Sequence, residues 1–232
     1  VRHMDGAAAR RAVEAAVQAA DAQAAEQALR AFPGGLNGTE PPDYVASRPI
    51  HAFVEALPRA PADRLKALVA HVFSLPGLNL TCRALPHGYL SQKVAASCWD
   101  PRAMKTVLTA LATARGLSTS ALLAEAAPLG GKPTPSSLFL ALMLAIDNKD
   151  SSRVRVLLEL GAPVDQHARD LLEKEPVKPV DLTVEWIQLR NTKAVRKRLL
   201  RVVDGEADES EEEAADQEAR RSKRQRHRQY FK

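Results

Sequence analysis

Five glycines recur at nearly regular spacing along this chain, each at the end of an apolar helical stretch. They are Gly35, Gly77, Gly116, Gly161 and Gly205, and successive members lie 42, 39, 45 and 44 residues apart. Glycine often ends a helix because it adopts the left-handed backbone conformation without Cβ strain. One short helical unit cannot bury its own apolar face, so a period of roughly 40 residues predicts a stack of units that cover one another.

A series of prolines supports the same period. Pro49, Pro86, Pro135 and Pro179 precede successive units, and proline is well tolerated in the first turn of a helix. We therefore predict two helices in each unit. The first helices are expected near residues 7–20, 49–58, 87–98, 135–147 and 179–190, and the second helices near 22–32, 61–75, 101–115, 151–160 and 192–203. The long loop at 118–133 has room for a short added helix.

Composition favours an all-α fold. The 232 residues are 45% hydrophobic but only 4% aromatic, and abundant alanine suits helices that pack closely. The predicted fold is a helical-repeat solenoid over residues 5–205, followed by a charged tail at 206–232. The longest apolar run stops short of a membrane span, so we expect a soluble, intracellular protein of the cytoplasm or nucleus, with an organelle as the alternative. Cys82 and Cys98 are too few for a disulfide framework.

The first residues need separate treatment. His3-Met4 is typical of a cloning-site remnant, so residues 1–4 are left out of the fold prediction. The alanine-rich stretch that follows carries four acids, Asp5, Glu14, Asp21 and Glu26. Because transit peptides are usually poor in acids, we interpret this stretch as a folded helix pair, with a residual targeting segment as the alternative.

Several of the units resemble ankyrin repeats. "RPIHAFVEAL" from Arg48 is similar to the family's Thr-Pro-Leu-His-x-Ala opening, "KPVDLTVEWI" from Lys178 to its variant with aspartate, and "VRVLLELGAPVD" to its second helix and exit. The resemblance places five repeats near 5–35, 49–77, 86–116, 134–161 and 178–205. These repeats are longer than the family's usual length of about 33 residues, and Ser136-Ser137 replaces Leu-His after Thr134-Pro135. A HEAT or armadillo array is the alternative.

The resemblance implies where a partner would bind. Ankyrin partners usually contact loop tips and exposed first-helix positions, here near 44–51, 83–92, 130–137 and 176–186. Aromatic residues and arginine dominate interface hot spots, so the candidate partner-binding residues are Tyr44, Arg48, Arg83, Tyr89 and Trp186. Tyr89 and Trp186 also fit core positions. The resemblance gives His51 a structural role in its turn.

No sequence pattern indicates catalysis. "LGGKPT" at 129–134 lacks the Ser or Thr that a phosphate loop needs after its lysine, because Pro133 stands there, and Ala126 stands where the loop needs glycine. Cys82, His87 and Cys98 contain no Cys-x-x-Cys pair. We therefore predict no enzyme, no cofactor, no metal and no small-molecule substrate.

The tail divides into two blocks of opposite charge. Residues 206–218 hold eight acids and no base, and residues 219–232 hold seven Lys or Arg and no acid. Such a segment is expected to be disordered, or a lone helix, until it meets a partner. Nucleic acid or an import receptor could bind the basic cluster. This cluster comprises Arg220, Arg221, Lys223, Arg224, Arg226 and Arg228.

Three functions fit this organisation. The first is a non-enzymatic adaptor that binds a protein on the concave and loop face of the solenoid. The second is a structural subunit of a ribonucleoprotein, such as an organellar ribosome, whose basic tail contacts RNA. The third is the ankyrin portion of a secreted bacterial effector that captures a host protein. None of the three involves a membrane.

Overall fold

Helices make up most of the described residues, in agreement with the all-α prediction. The computed structural model describes residues 5–38, 48–81, 83–84, 88–96, 100–125, 128–129, 132–133, 136–148, 151–173 and 184–205. The helices within these ranges are α1 (Gly6–Gln18), α2 (Ala22–Arg30), α3 (Pro49–Ala56), α4 (Ala62–Phe73), α5 (Leu90–Ala96), α6 (Pro101–Ala114), α7 (Thr119–Ala124), α8 (Ser137–Asn148), α9 (Ser152–Glu159), α10 (Gln166–Glu173) and α11 (Val184–Val203).

The other regular elements are short. One-turn 3-10 helices occupy Gly35–Asn37 and Leu57–Arg59. Two antiparallel hairpins pair β1 (Arg83–Ala84) with β2 (Gly88–Tyr89) and β3 (Pro128–Leu129) with β4 (Lys132–Pro133). The second hairpin falls in the predicted loop at 118–133, whereas β2 of the first hairpin occupies residues 88–89, where the helix predicted at 87–98 was expected to begin. No helix in the described part is both long and apolar enough to cross a membrane.

The chain divides into two compact units. The first comprises residues 1–171 and the second residues 172–232. The unit boundary lies before the predicted fifth repeat, so that repeat falls in the second unit.

Local sequence explains where several helices begin. The side chains of Asp5, Asp21, Asp100 and Ser118 each accept a hydrogen bond from a backbone N–H of the turn that follows. These N–H groups have no partner inside the helix, so such caps stabilise helix starts by about 1 kcal/mol each. Pro49 and Pro101 occupy the first turns of α3 and α6.

The helices of the first unit contact one another in a repeating order. α1, α3, α5 and α8 contact each other in succession and are called the first row; α2, α4, α6 and α9 do the same and are called the second row. The core between them is apolar, with Val13, Leu68 and Leu108 at most 1% exposed. Phe53 of α3 and Phe73 of α4 meet edge to face at 6.1 Å.

Polar bridges join neighbouring members of each row. Arg10 of α1 and Lys93 of α5 both contact Glu55 of α3, at 3.3 and 2.5 Å. In the second row, His71 Nε2 of α4 lies 3.0 Å from Glu26 Oε2 of α2. Each bridge therefore connects one helix to the corresponding helix of the neighbouring helix pair.

The glycine stops are confirmed for α6, α9 and α11, which Gly116, Gly161 and Gly205 closely follow, whereas Gly35 and Gly77 lie further along, in the segments after α2 and α4. All five predicted glycines have positive φ, between 65° and 83°. Gly161 has a second constraint, because a Cβ added there would lie 2.8 Å from Ser120 Cβ. This position therefore requires both the conformation and the small size of glycine.

Two helices in the described residues differ from expectation. α10 (Gln166–Glu173) lies where a loop was expected, and Asp165 Oδ1 accepts a hydrogen bond from Ala168 N in its first turn. The predicted helix pair at 179–190 and 192–203 is instead the single helix α11, which runs through Asn191 and Thr192. Neither residue is a proline or glycine, so neither forces a break.

In the second unit, α11 has an apolar and a cationic side over its last three turns. Val195, Leu199 and Val202 are buried. Lys193, Lys197 and Arg201 are exposed and follow a four-residue spacing.

Candidate functional site: the groove between α4 and α6

An open groove lies between α4 and α6 of the second row. It has a volume of about 1090 Å³ and is lined in part by the loop of residues 74–81 that follows α4. α4 contributes Lys66, Ala70 and Phe73, while α6 contributes residues from Arg102 to Ala114, and Arg115 follows at the same end as the loop. The groove therefore extends along nearly the whole length of α6.

The α6 wall is built from short side chains. Thr106, Thr109, Ala110, Thr113 and Ala114 follow the three- and four-residue spacing of one helix face. All five are exposed or half-buried. The opposite face of α6 is buried in the core. The wall is thus a solvent-facing stripe that another chain can approach closely.

The floor of the groove is apolar. Phe73, Leu75 and Leu80 line it and retain 4%, 7% and 8% exposure, and Leu78 beside them is half-buried. These side chains belong to the core but show one edge to the groove, so the groove offers apolar contact without a large exposed patch.

The charged groups that line the groove are all cations. Lys66 and Arg102 are exposed, and Lys105 Nζ lies 2.8 Å from Glu159 Oε2 of α9. Arg115 forms a two-pronged contact with Glu125 at 2.5 and 2.7 Å, and its side chain is only 14% exposed. Lys66, Arg102 and Lys105 lie in the N-terminal halves of their helices, and Arg102 is in the first turn of α6, where the helix dipole adds positive potential.

Hydrogen bonds from Asn37, which follows the preceding helix pair, fix the loop of residues 74–81. Asn37 Nδ2 donates to the carbonyl oxygen of Gly77 at 2.6 Å, and Asn37 Oδ1 accepts from Asn79 N at 2.8 Å. Asn79 Oδ1 in turn accepts from the backbone and hydroxyl of Thr81. The loop geometry is thus fixed by side-chain bonds, and with it the position of Leu78 and Leu80.

Of the contact residues predicted from sequence, Arg48 and Tyr89 have described side chains, and neither is among the residues that line this groove. Arg48 is half-buried immediately before α3, and the backbone N–H of half-buried Tyr89 donates to Gln92 Oε1. Arg83 and Tyr89 face each other in register across the first hairpin. Tyr44 and the basic cluster 220–228 lie outside the described residues. Trp186 belongs to α11, but its side chain is not among those described.

The residues of the candidate catalytic and metal-binding patterns do not form such a site within the described part of the chain. His51 is fully buried, and Leu129 and Lys132 of the "LGGKPT" stretch pair across the second hairpin. Cys82, His87 and Cys98 lie outside the described residues. Within the described ranges, no three His, Cys, Asp or Glu side chains come together as a metal-binding group.

Sequence reasoning missed Lys66, Arg102 and Lys105 as functional candidates. A signal was present, because Thr106, Thr109 and Thr113 mark a polar face of α6 made of short side chains with cations at one end. The resemblance to ankyrin repeats instead predicts partner contacts at the loop tips and the first helices.

Comparison with protein-family models, curated proteins and solved structures finds no match to this chain. Its function is therefore inferred from its own geometry.

Proposed function

We propose that the first unit is a stacked helical-repeat module, of ankyrin-like kind, that binds another protein and catalyses no reaction. The observation that carries the proposal is the α4–α6 groove, because a long open groove with an apolar floor and a polar rim is the usual form of a peptide-binding surface. Stacked helical units generally present such continuous surfaces.

The packing within the first unit supports the stacked arrangement. Each first-row helix contacts the next first-row helix, and each second-row helix the next second-row helix. Buried polar residues also recur in the first turns of first-row helices, with His51 of α3, Ser91 of α5 and Ser137 of α8 at most 1% exposed. Ser137 stands where the ankyrin opening has histidine.

The test is affinity capture from the source cell, with the full chain as bait and mass spectrometry as the readout. We expect one protein to be recovered with wild type and with a variant that lacks residues 206–232. Arg48→Ala combined with Tyr89→Ala tests the loop and first-helix face predicted from sequence. Recovery of no protein by any bait would contradict the proposed function.

A second candidate function rests on α11. Lys193, Lys197 and Arg201 are exposed at four-residue spacing, so their Cα atoms rise by about 6 Å per step along one helix face. Such a row suits the phosphates of RNA. Single-stranded RNA should bind with an affinity that falls steeply with salt, and Lys193→Glu combined with Lys197→Glu should weaken it. Salt-independent binding would contradict this function.

A further inference from the structure

We propose that the α4–α6 groove binds an acidic amphipathic helix of another protein, laid along α6 with its apolar side over the floor and its acidic residues over Lys66, Arg102 and Lys105. This inference rests on the proposed function and specifies the chemistry of its partner. It follows from the length of the groove, the short side chains of its wall and the sign of its charge.

The length of the groove fits a helix of about four turns. α6 has 14 residues, which span about 21 Å at 1.5 Å per residue. A partner helix of similar length would contact the wall from Arg102 to Ala114. An extended peptide would need only about six residues to cover the same distance.

The backbone of the walls favours a helical partner over an extended one. The N–H and C=O groups along α4 and α6 are used within those helices, so an extended chain in the groove would find few main-chain partners there. A helix satisfies its own backbone groups and presents only side chains. The short Thr109, Ala110 and Thr113 side chains let such a helix lie close, since interhelical distance depends on the side chains at the contact.

The charge of the lining selects an acidic partner. Among the lining residues, Lys66, Arg102, Lys105 and Arg115 are charged and none is an acid. Asp100 lies at the same end of α6, but its carboxylate accepts hydrogen bonds from the N–H groups of residues 102 and 103. Glutamates or aspartates on the partner would therefore meet the exposed cations Lys66 and Arg102, with Lys105 beside them in its ion pair with Glu159.

The positions of charge and floor also fix the orientation of the partner. Arg115 at the far end is already held by Glu125, whereas Phe73, Leu75 and Leu80 lie near that end. The acidic residues of the partner therefore belong over the first turn of α6. Its apolar residues, at three- and four-residue spacing, belong over the last two turns.

The test uses a displayed library of random 16-residue peptides, selected on the immobilised full-length chain. We expect the enriched peptides to be acidic, to carry apolar residues at helical spacing, and to gain helical circular dichroism on binding. Selection of basic peptides, or of peptides that bind without gaining helix, would overturn the proposal.

Matched variants locate the binding site. Thr109→Trp fills the groove and should weaken an enriched peptide about ten-fold or more, whereas Ala67→Trp, on an exposed part of α4 outside the lining, should leave its affinity unchanged. Lys66→Glu combined with Arg102→Glu should have a similar ten-fold effect, and Arg64→Glu, also exposed and outside the lining, should have little. Equal effects within either pair would overturn the assignment to the groove.

The outcomes separate this inference from the proposed function. If the source-cell partner is captured equally by wild type and Thr109→Trp, the module binds proteins but the groove is not its site. If a second copy of this chain or an RNA occupies the groove, Thr109→Trp will abolish dimerisation in sedimentation or oligonucleotide binding instead of peptide binding. Either result overturns the acidic-helix proposal.

Discussion

At the scale of single residues, Asn37 connects two successive helix pairs within the first unit. Its amide reaches a loop 40 residues further along the chain and forms two hydrogen bonds with the backbone there. Asn37→Ala should lower the free energy of unfolding by about 1–2 kcal/mol, since each bond contributes about 0.5–1.5 kcal/mol net. Urea denaturation followed by circular dichroism measures the change.

A control for this prediction lies in the same loop region. Ser74 Oγ donates only to the carbonyl of His71 in its own helix, so Ser74→Ala should cost clearly less than Asn37→Ala. Equal losses of unfolding free energy would mean that the hydrogen bonds of Asn37 between successive helix pairs stabilise the fold no more than a hydrogen bond within one helix.

Glu26 gives a residue-scale prediction about pH. Its carboxylate accepts a hydrogen bond from Arg30 and contacts His71 of α4; these two side chains, Arg30 first, hold the pKa of Glu26 below its ordinary value of 4.5. A carboxyl with a lowered folded-state pKa stabilises the fold above its unfolded pKa and loses that contribution as the pH falls through the folded pKa.

The expected pH dependence follows from that sign. The difference in unfolding free energy between wild type and Glu26→Gln should be largest above the unfolded-state pKa of about 4.5 and should shrink as the pH falls from there towards about 3. Urea titrations at half-unit steps of pH measure it. A difference that stays constant down to about pH 3 would show that ionised Glu26 does not stabilise the fold.

At the scale of elements, helix ends depend on glycine to different degrees. Gly77 and Gly161 have nearly equal φ, 79° and 83°, but a Cβ would meet nothing within 4 Å at Gly77 and Ser120 at Gly161. Gly77→Ala should therefore cost only the left-handed strain, about 1–2 kcal/mol. Gly161→Ala should cost about 1–3 kcal/mol more from the overlap.

A double-mutant cycle isolates the overlap between α7 and the end of α9. Gly161→Ala should be less costly in a Ser120→Gly background, because the atom that its Cβ meets is then absent. Thermal or urea unfolding of the four proteins gives the coupling energy. A coupling energy near zero would mean that α7 and the end of α9 can move apart without a loss of stability.

Sequence alone predicts elements that have local signals. The bounds of α6 follow from Asp100-Pro101 at its start and Gly116 after its end, and the structure agrees within one residue at each end. α10 was missed, although Asp165 is a suitable cap, because the repeat pattern assigned that stretch to a loop. The split of α11 was wrong because a repeat pattern was extended across a segment with no helix breaker.

The α4–α6 groove could not be predicted from local signals. It depends on which faces of two helices oppose each other, and Lys66 and Arg102 lie 36 residues apart in the chain. The hydrogen bonds of Asn37 could not be predicted either, because they too join distant parts of the chain. The contact residues predicted from sequence are aromatic residues and arginines, whereas the groove wall is made of threonine and alanine.

At the scale of the whole first unit, Glu55 joins three successive helices. It contacts Arg10 of α1 and Lys93 of α5, and the Lys93 side chain is only 10% exposed. Glu55→Ala should lower the free energy of unfolding by about 1–3 kcal/mol, because it removes the carboxylate from a largely buried cation.

Glu159→Ala is the matched comparison for Glu55→Ala. Its partner Lys105 is 51% exposed, and Glu159 itself is 55% exposed, so this variant should cost less than about 1 kcal/mol. Chemical denaturation of both variants at low and high salt measures the difference. A larger cost for Glu159→Ala would contradict the role given to burial.

The bridges between neighbouring helices have a consequence for how quickly the first unit assembles. The side-chain contacts described here between successive members of the rows join residues between 38 and 54 positions apart, so forming each one closes a loop of similar, moderate length. Folding started at one pair of neighbours can therefore spread to the next pair at a comparable entropic cost for each step. The rate should depend on the slowest such step rather than on the length of the array.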